Sequence, residues 1–240
     1  MDFYEEIREK FNDLIEQNEL KREKIKISTK WLSPEEAIGN PERKDFPLLK
    51  GKEVMMEANF LNARGQSYTD MPGNFSGSLD EVLNLSLVNN FERAVFIATL
   101  NAVMRYLKQV DRTVHCKDKE PQECAGQLVK YIQRRFGRPR IAFIGLQPAM
   151  VESLAQHFPI RVTDLDPDNI DKRKCGVIIE DAARTQEVVS WGDIVLATGT
   201  TVVNNTFHSI LTEKPVVFYG VTISGIAKLK GYERYCYCGH

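Results

Sequence analysis

The run Thr198-Gly199-Thr200-Thr201-Val202-Val203-Asn204-Asn205-Thr206 is the most informative motif of this sequence. It follows a strand-like stretch, residues 193–197, and a helix is predicted to begin within it. Hydroxyl groups, a glycine and unpaired helix amides at one point form a suitable seat for phosphate, carboxylate or sulfate. The alternative interpretation is N-capping by threonine, with asparagines that face solvent. We predict that this run binds a ligand through Thr198, Gly199, Thr200, Thr201, Asn204 and Thr206.

A glycine and two aspartates end two earlier strand-like runs. Gly145 comes at the end of the apolar run 141–146, where a ligand can approach the backbone closely. Asp164 and Asp166 follow 19 and 21 residues later, a separation typical of acids that accept hydrogen bonds from ribose hydroxyls. The full three-glycine dinucleotide fingerprint is absent. A tight turn at the glycine and capping by an aspartate are the alternatives, and we predict a ligand role for these three residues.

One asparagine interrupts the most apolar part of the chain. Asn101 lies within residues 94–104, so its side chain needs hydrogen-bond partners if it is buried. Either it joins two domains, or it reaches into a cleft and contacts a ligand. The sequence does not separate these two interpretations, and Asn101 is retained as a candidate ligand-binding residue.

The C-terminal sequence Cys236-Tyr237-Cys238-Gly239-His240 is a candidate metal site. In an extended strand, the side chains of Cys236, Cys238 and His240 would face the same side. Thiolates and imidazole suit zinc or copper, although this spacing is unlike that of a zinc finger. A second, looser group consists of His115, Cys116 and Cys124. For both groups the alternative is a set of cysteines and histidines with no metal.

Composition excludes some classes of partner. The 32 basic and 33 acidic side chains give a formal net charge of −1, without the basic surplus expected for a nucleic-acid-binding protein. The N-terminus lacks the pattern of a secretory signal, and the longest apolar stretch falls short of the roughly 20 residues that span a bilayer. We therefore expect a cytoplasmic protein with reduced cysteines, no membrane partner, and homo-oligomerisation left open.

Hydrophobic periodicity predicts two regions with different architecture. The first is α+β, and the second alternates short apolar strands with helices, which is typical of a parallel sheet with helices on both faces. We place the boundary between residues 1–137 and 138–240. The predicted elements of the first region are a helix over 2–18, a strand over 24–27, a loop over 31–50, a strand over 54–61, a loop over 67–77, a helix after Asn90 and a helix from Pro121 to Gly137. Those of the second include strands at 141–146, 161–166, 176–181, 193–199 and 215–220, and a helix from Val202 to Leu211.

Several of these motifs together resemble the family described as putative heavy-metal chelation. The similar segments are ATLNA, FIGLQP, TDLDP and DIVLATGTTVVNNTFHSIL. The resemblance implies an enolase N-terminal-like α+β domain, followed by a Rossmann-like domain partly similar to methyltransferases, with a cleft between them. It also implies a role near metal handling or pterin- and flavin-like molecules. This sequence has Gln147 and Pro148 where many relatives carry an aromatic residue and proline, and Gln147 is kept as a candidate. The cleft positions carried over are Asn101, Gly145, Asp164, Thr198, Gly199, Thr200 and Asn204.

Three functions follow as hypotheses. The leading one is binding, or transformation, of a small anionic nucleotide-, pterin- or metallophore-like ligand in the interdomain cleft. The second is a metal carrier or sensor that uses the C-terminal cysteines and histidine. The third is an S-adenosylmethionine-dependent methyltransferase-like enzyme, against which stands the missing glycine-rich loop. A divalent metal and a nucleotide- or pterin-like molecule are the candidate cofactors, and no reaction can be named because no nucleophile is paired with a base.

Overall fold

A computed structural model describes residues 2–20, 27–51 and 53–240 and contains two β-sheets joined by helices. The predicted strand over 24–27 lies outside these residues except for Ile27, at which the first strand begins. The α/β fold class is confirmed, because one sheet is antiparallel and the other is almost entirely parallel. No helix within the described ranges has the length and apolar character needed to cross a membrane.

The antiparallel sheet has the strand order β3-β2-β1-β4. Its strands are β1 (Ile27–Leu32), β2 (Val54–Phe60), β3 (Ala63–Thr69) and β4 (Phe75–Gly77). The helices of this half are α1 (Phe3–Gln17), α2 (Pro34–Ile38), α3 (Pro47–Lys50), α4 (Leu79–Leu83) and α5 (Asn90–Tyr106). The sheet packs closely on α5 at Gly65, where an added Cβ would lie 2.3 Å from both Ala98 O and Ala102 N. Glycine at this position therefore sets the distance between the sheet and the helix.

The second sheet has the strand order β11-β10-β9-β5-β6-β8-β7. Its strands are β5 (Ile141–Ile144), β6 (Ile160–Asp164), β7 (Arg173–Lys174), β8 (Val177–Asp181), β9 (Ile194–Thr198), β10 (Val216–Tyr219) and β11 (Glu233–Tyr235). All neighbours pair in parallel except the short edge strand β7. Counted in chain order without β7, the order is 3-2-1-4-5-6, the Rossmann order. The order reverses between β5 and β9, and ligands of such sheets bind at this switch point.

Helices cover both faces of the parallel sheet. They are α6 (Glu120–Phe136), α7 (Pro148–Ala155), α8 (Thr185–Trp191), α9 (Thr200–Val203) and α10 (Ser224–Lys230). On one face, side chains of α6 and α7 share a buried cluster with β5 residues such as Phe143. On the other, α5 packs with α1, α10 and the opposite side of β5 in a second cluster. Both α5 and α6 precede the predicted boundary after residue 137 yet pack on the second sheet. The boundary stays a prediction.

Three local predictions are wrong, each for an identifiable reason. The loop over 31–50 contains the end of β1 and two short helices, since Pro34 and Pro47 stand in first helical turns, where proline is tolerated. The loop over 67–77 contains the end of β3 and all of β4, which pair with neighbouring strands. The helix over 202–211 breaks after Val203, because Asn205 adopts a left-handed φ of 55° before a 3-10 turn.

Candidate functional site

A cavity of about 630 Å³ opens at the carboxyl ends of the parallel strands, next to the switch point. Residues of both halves of the chain line it. The first half contributes, among others, Glu53, Tyr68, Asp70, His115 and Cys116. From the second half, the structure brings together the predicted candidates Gly145, Gln147, Asp164, Asp166, Thr198, Gly199, Thr200, Thr201, Asn204 and Thr206.

The loops after β5 and β9 meet at Gly145. This residue has φ 87°, and an added Cβ would lie 2.6 Å from Thr198 Cγ2. The Tyr219 hydroxyl donates to Gly145 O at 2.7 Å and fixes the same turn from the neighbouring strand β10. Gly145 is thus required by backbone conformation and by the close contact between the two loops.

Asp164 organises the loops rather than standing free for a ligand. Its Oδ2 accepts a hydrogen bond from Leu146 N at 2.7 Å. Its Oδ1 accepts from Asp166 N at 2.9 Å and from Asn169 Nδ2 at 2.9 Å. Three protein donors therefore occupy the carboxylate that the sequence associated with ribose hydroxyls, and Asp164 holds the turn after Gly145 in place.

The threonine run is largely saturated by internal hydrogen bonds. Gly199 N donates to Tyr219 O at 3.0 Å, and Thr201 Oγ1 donates to Thr198 O at 2.8 Å. Thr198 Oγ1 accepts from Thr200 N at 3.3 Å and donates to Thr200 Oγ1 at 3.1 Å. The helix that follows, α9, is four residues long. Few donors of this run are left for an anion, although its side chains face the cavity.

Residues of the first half of the chain form hydrogen bonds to the end of this run. None of these residues was predicted from the sequence. Arg93 Nε donates to Val203 O at 2.5 Å, and its Nη1 donates to Leu87 O at 2.8 Å. The Tyr4 hydroxyl donates to Val202 O. Asn90 Nδ2 donates to Asn204 Oδ1 at 3.3 Å. The last carbonyls of α9 are therefore bonded to α1 and α5, which fixes the cavity wall.

An acidic wall contributed by the first half was also missed. Glu53, which precedes β2, lines the cavity, and burial raises its pKa to about 7. The neighbouring carboxylates of Asp164, Asp70 and Asp166 raise this pKa further. Asp70, at the end of β3, accepts a hydrogen bond from Asn90 Nδ2 at 2.7 Å. Neither residue stands in a motif, so no signal in one sequence distinguishes them from solvent-facing acids.

Tyr68 and His115 form a hydrogen-bonded pair in the same wall. The Tyr68 hydroxyl lies 3.1 Å from His115 Nε2, and the two rings meet edge to face. Burial lowers the pKa of His115 to about 4, so the imidazole is neutral near pH 7. His115 Nδ1 is buried and has no hydrogen-bond partner. From the sequence, His115 is a candidate only as one of a loose group of possible metal ligands with Cys116 and Cys124.

Asn101 does not line the cavity, which corrects its assignment as a ligand-binding residue. It is completely buried in α5. Its Nδ2 donates to the Gln66, Val221 and Thr222 carbonyls at 3.0, 3.3 and 3.0 Å, and its Oδ1 accepts from Gly225 N at 2.7 Å. Asn101 therefore joins β3 of the first sheet to the β10–α10 connection of the second, which was the other interpretation that the sequence left open.

The C-terminal residues do not form the predicted metal cluster. Strand β11 ends at Tyr235, so Cys236, Cys238 and His240 do not alternate along a strand. Cys236 lines the cavity, whereas His240 Nε2 lies 3.0 Å from Glu120 Oε2 beside a separate surface pocket. Across the described ranges, which include every cysteine and histidine, no group of three or more His, Cys, Asp or Glu residues could hold a metal ion.

Three thiols at or near the cavity, those of Cys116, Cys236 and Cys238, have raised pKa values. Burial, and then the nearby thiols of Cys124, Cys236 and Cys238, raises the pKa of Cys116. Burial raises the pKa of Cys238 to about 12 and that of Cys236 in the same direction. A metal ion that bound these thiols would have to displace their protons, which makes metal binding dependent on pH.

The protein belongs to a two-sheet α/β class. Its parallel sheet has the Rossmann strand order with a glycine at the switch point, and its antiparallel sheet lies beside the cavity. Residues 127–233 match the family model described as "Putative heavy-metal chelation", which confirms the resemblance over this segment. No curated protein matches the chain.

Two solved structures of proteins of unknown function from the same family share the fold. One, from Pyrococcus horikoshii, has a TM-score of 0.52 and 17% identity, over 90% of this chain and 78% of that chain. The other, from Desulfitobacterium hafniense DCB-2, has a TM-score of 0.50 and 12% identity, over 74% and 73%. At these identities the similarity shows the fold alone.

Proposed function

We propose that this protein binds a small organic molecule in the cavity beside the β5–β9 switch point. The observation that carries the proposal is the convergence of polar groups from both sheets around about 630 Å³ at the carboxyl ends of the strands. Ligands of open parallel sheets bind at this place, and a volume of this order suits a small organic ligand. The displaced pKa values of Glu53 and His115 are a further feature typical of functional sites.

Nucleotide-, pterin- and metallophore-like molecules are the ligand classes that the sequence suggested. The cavity favours those with a flat apolar body and hydrogen-bonding edges, because buried apolar side chains share its walls with the polar groups. The apolar lining includes Ile38, Phe46, Leu48, Leu146, Met150 and Val221. S-adenosylmethionine belongs to the same candidates, although Asp164, the acid after the second strand, already accepts three protein donors.

A bound metal ion fits the described residues poorly. His115 Nε2 is engaged by the Tyr68 hydroxyl, and no group of three or more His, Cys, Asp or Glu in the described ranges could hold a metal ion. The family description therefore does not translate into a preformed metal centre in this chain. We propose that any link to metals runs through an organic ligand in the cavity rather than through side-chain coordination.

The test is ligand-induced stabilisation with a matched pair of variants. Adenosine, S-adenosylmethionine and a pterin are added to the wild type, where a ligand at 100 times its Kd stabilises the fold by about 2.7 kcal/mol. Tyr68→Phe removes one hydroxyl from the cavity wall and should reduce the gain. Tyr106→Phe, at an exposed tyrosine outside the cavity, is the control and should not. Equal gains in both variants would place binding elsewhere.

A further inference from the structure

The charge of the cavity wall limits what the ligand can be. Four carboxyl groups line it, those of Glu53, Asp70, Asp164 and Asp166. A fifth, Asp45, is paired with Arg43, whose Nε lies 2.5 Å from Asp45 Oδ1. Lys50, which is exposed, is the single lysine or arginine among the described lining residues. An anionic group at this wall would meet mainly like charge.

The neutral groups of the wall do not offset this charge. His115 is an uncharged imidazole bonded to the Tyr68 hydroxyl. The backbone amide of Gly199, which a phosphate at this turn would need, is already donated to Tyr219 O. The wall therefore combines several carboxyl groups with one basic side chain, Lys50, among the described lining residues.

Apolar side chains also line the cavity. Ile38, Phe46, Leu48 and Val221 are each at least 97% buried and belong to the core cluster that contains Phe143. A molecule that contacts both the apolar side chains and the carboxyl groups needs an apolar or aromatic body and a polar edge. The edge must complement acceptors rather than donors.

We propose that the natural ligand is a neutral or cationic nitrogen-rich organic molecule that directs N–H donors or positive charge towards Glu53 and Asp70, and that phosphorylated molecules are disfavoured. This inference rests on the proposed function and specifies its ligand class. It departs from the anionic ligand that the threonine run suggested. Glu53 and Asp70, in the first half of the chain, were not part of that prediction.

The experiment soaks crystals of the full chain with size-matched cationic, neutral N–H-donor and anionic fragments. It also compares adenosine with AMP by calorimetry, a pair that differs only in the phosphate. Fragments in the acidic part of the cavity should be cationic or N–H donors, and AMP should bind at least about tenfold more weakly than adenosine. If neither adenosine nor AMP binds, the fragment classes decide.

Variants of Glu53 and Asp70 test whether these residues cause the preference for cationic or N–H-donor ligands. Glu53→Gln together with Asp70→Asn should reduce the discrimination against anions, and Glu9→Gln, an exposed acid on α1, should leave it unchanged. Should the double variant fail to fold, the wild-type fragment classes remain decisive. Anionic fragments at Glu53, or AMP binding as tightly as adenosine, would overturn this inference while leaving the proposed function intact. A cavity empty of every fragment class would overturn both.

Discussion

Replacement of the buried carboxyl Glu53 by glutamine should change how the stability of the protein depends on pH. The pKa of this group is about 7 in the fold, against an ordinary value of 4.5. Burial is the main cause, and three neighbouring carboxylates add to it. Glutamine keeps the size of the side chain and removes the charge, so Glu53→Gln isolates the cost of ionisation.

The sign follows from proton linkage. A raised pKa in the fold means that the folded protein binds the proton more tightly than the unfolded chain does. The contribution of Glu53 to stability is fully present below pH 4.5 and is lost as the pH rises through 7. One pKa unit corresponds to about 1.36 kcal/mol, so the shift amounts to at most about 3 kcal/mol. Glu53→Gln should therefore gain up to this amount over the wild type at pH 8 and almost nothing at pH 4.

Urea denaturation at intervals between pH 4 and pH 8 measures this difference. The quantity of interest is the free energy of unfolding of Glu53→Gln minus that of the wild type, since other titrating groups cancel in it. Glu9→Gln, at an exposed position of α1, is the control and should show no trend. A difference that stays constant across this range would refute the assignment of Glu53 as a carboxyl buried among other acids.

Three further predictions concern stability. The fold lowers the pKa of His115 to about 4, so the wild type should lose up to about 3 kcal/mol of stability as the pH falls from 6.5 to 4. His115→Asn should not show this loss, and acid titration of both proteins tests the difference. Gly65→Ala should cost about 3 kcal/mol or more in urea denaturation, since its Cβ would meet α5 backbone, whereas Gly126→Ala in open space should gain about 1 kcal/mol. Arg93→Met should cost about 3 kcal/mol in the same assay by leaving Val203 O and Leu87 O unpaired, and an unchanged midpoint would contradict its role as an anchor.

The second half of the chain was the more predictable one. Short apolar runs such as 141–144 and 194–198 are buried on both faces of a parallel sheet, so their pattern survives in the sequence. The strand ends then follow, and with them Gly145 and Thr198 at the cavity. What a strand pattern does not reveal is whether polar groups at these ends are free. Asp164 lies at the end of β6 as predicted, but its carboxylate accepts from two backbone amides and from the Asn169 side chain.

The first half was harder to predict because its functional groups carry no periodic signal. Glu53 precedes a strand, Asp70 follows one, and His115 lies in a connection between two helices. They meet at the cavity only through the packing of the antiparallel sheet and α5 on the second sheet. Asn101 was also difficult to assign. The sequence shows that a buried asparagine needs hydrogen-bond partners, but it does not show whether these belong to a ligand or to neighbouring backbone segments.

The cavity is lined by residues inside and outside the segment that matches the family model. The matched segment, residues 127–233, includes the switch-point glycine and the threonine run, which shape the cavity. Of the carboxyl groups that line it, those of Glu53 and Asp70 lie outside that segment, as do Tyr68 and His115, whereas Asp164 and Asp166 lie within it. Under the proposed function, Glu53 and Asp70 would contribute to ligand selection from outside the matched segment. Specificity in this protein should accordingly respond to substitutions in the first half, while substitutions at Gly145 or Thr198 should alter the shape of the cavity for every ligand alike.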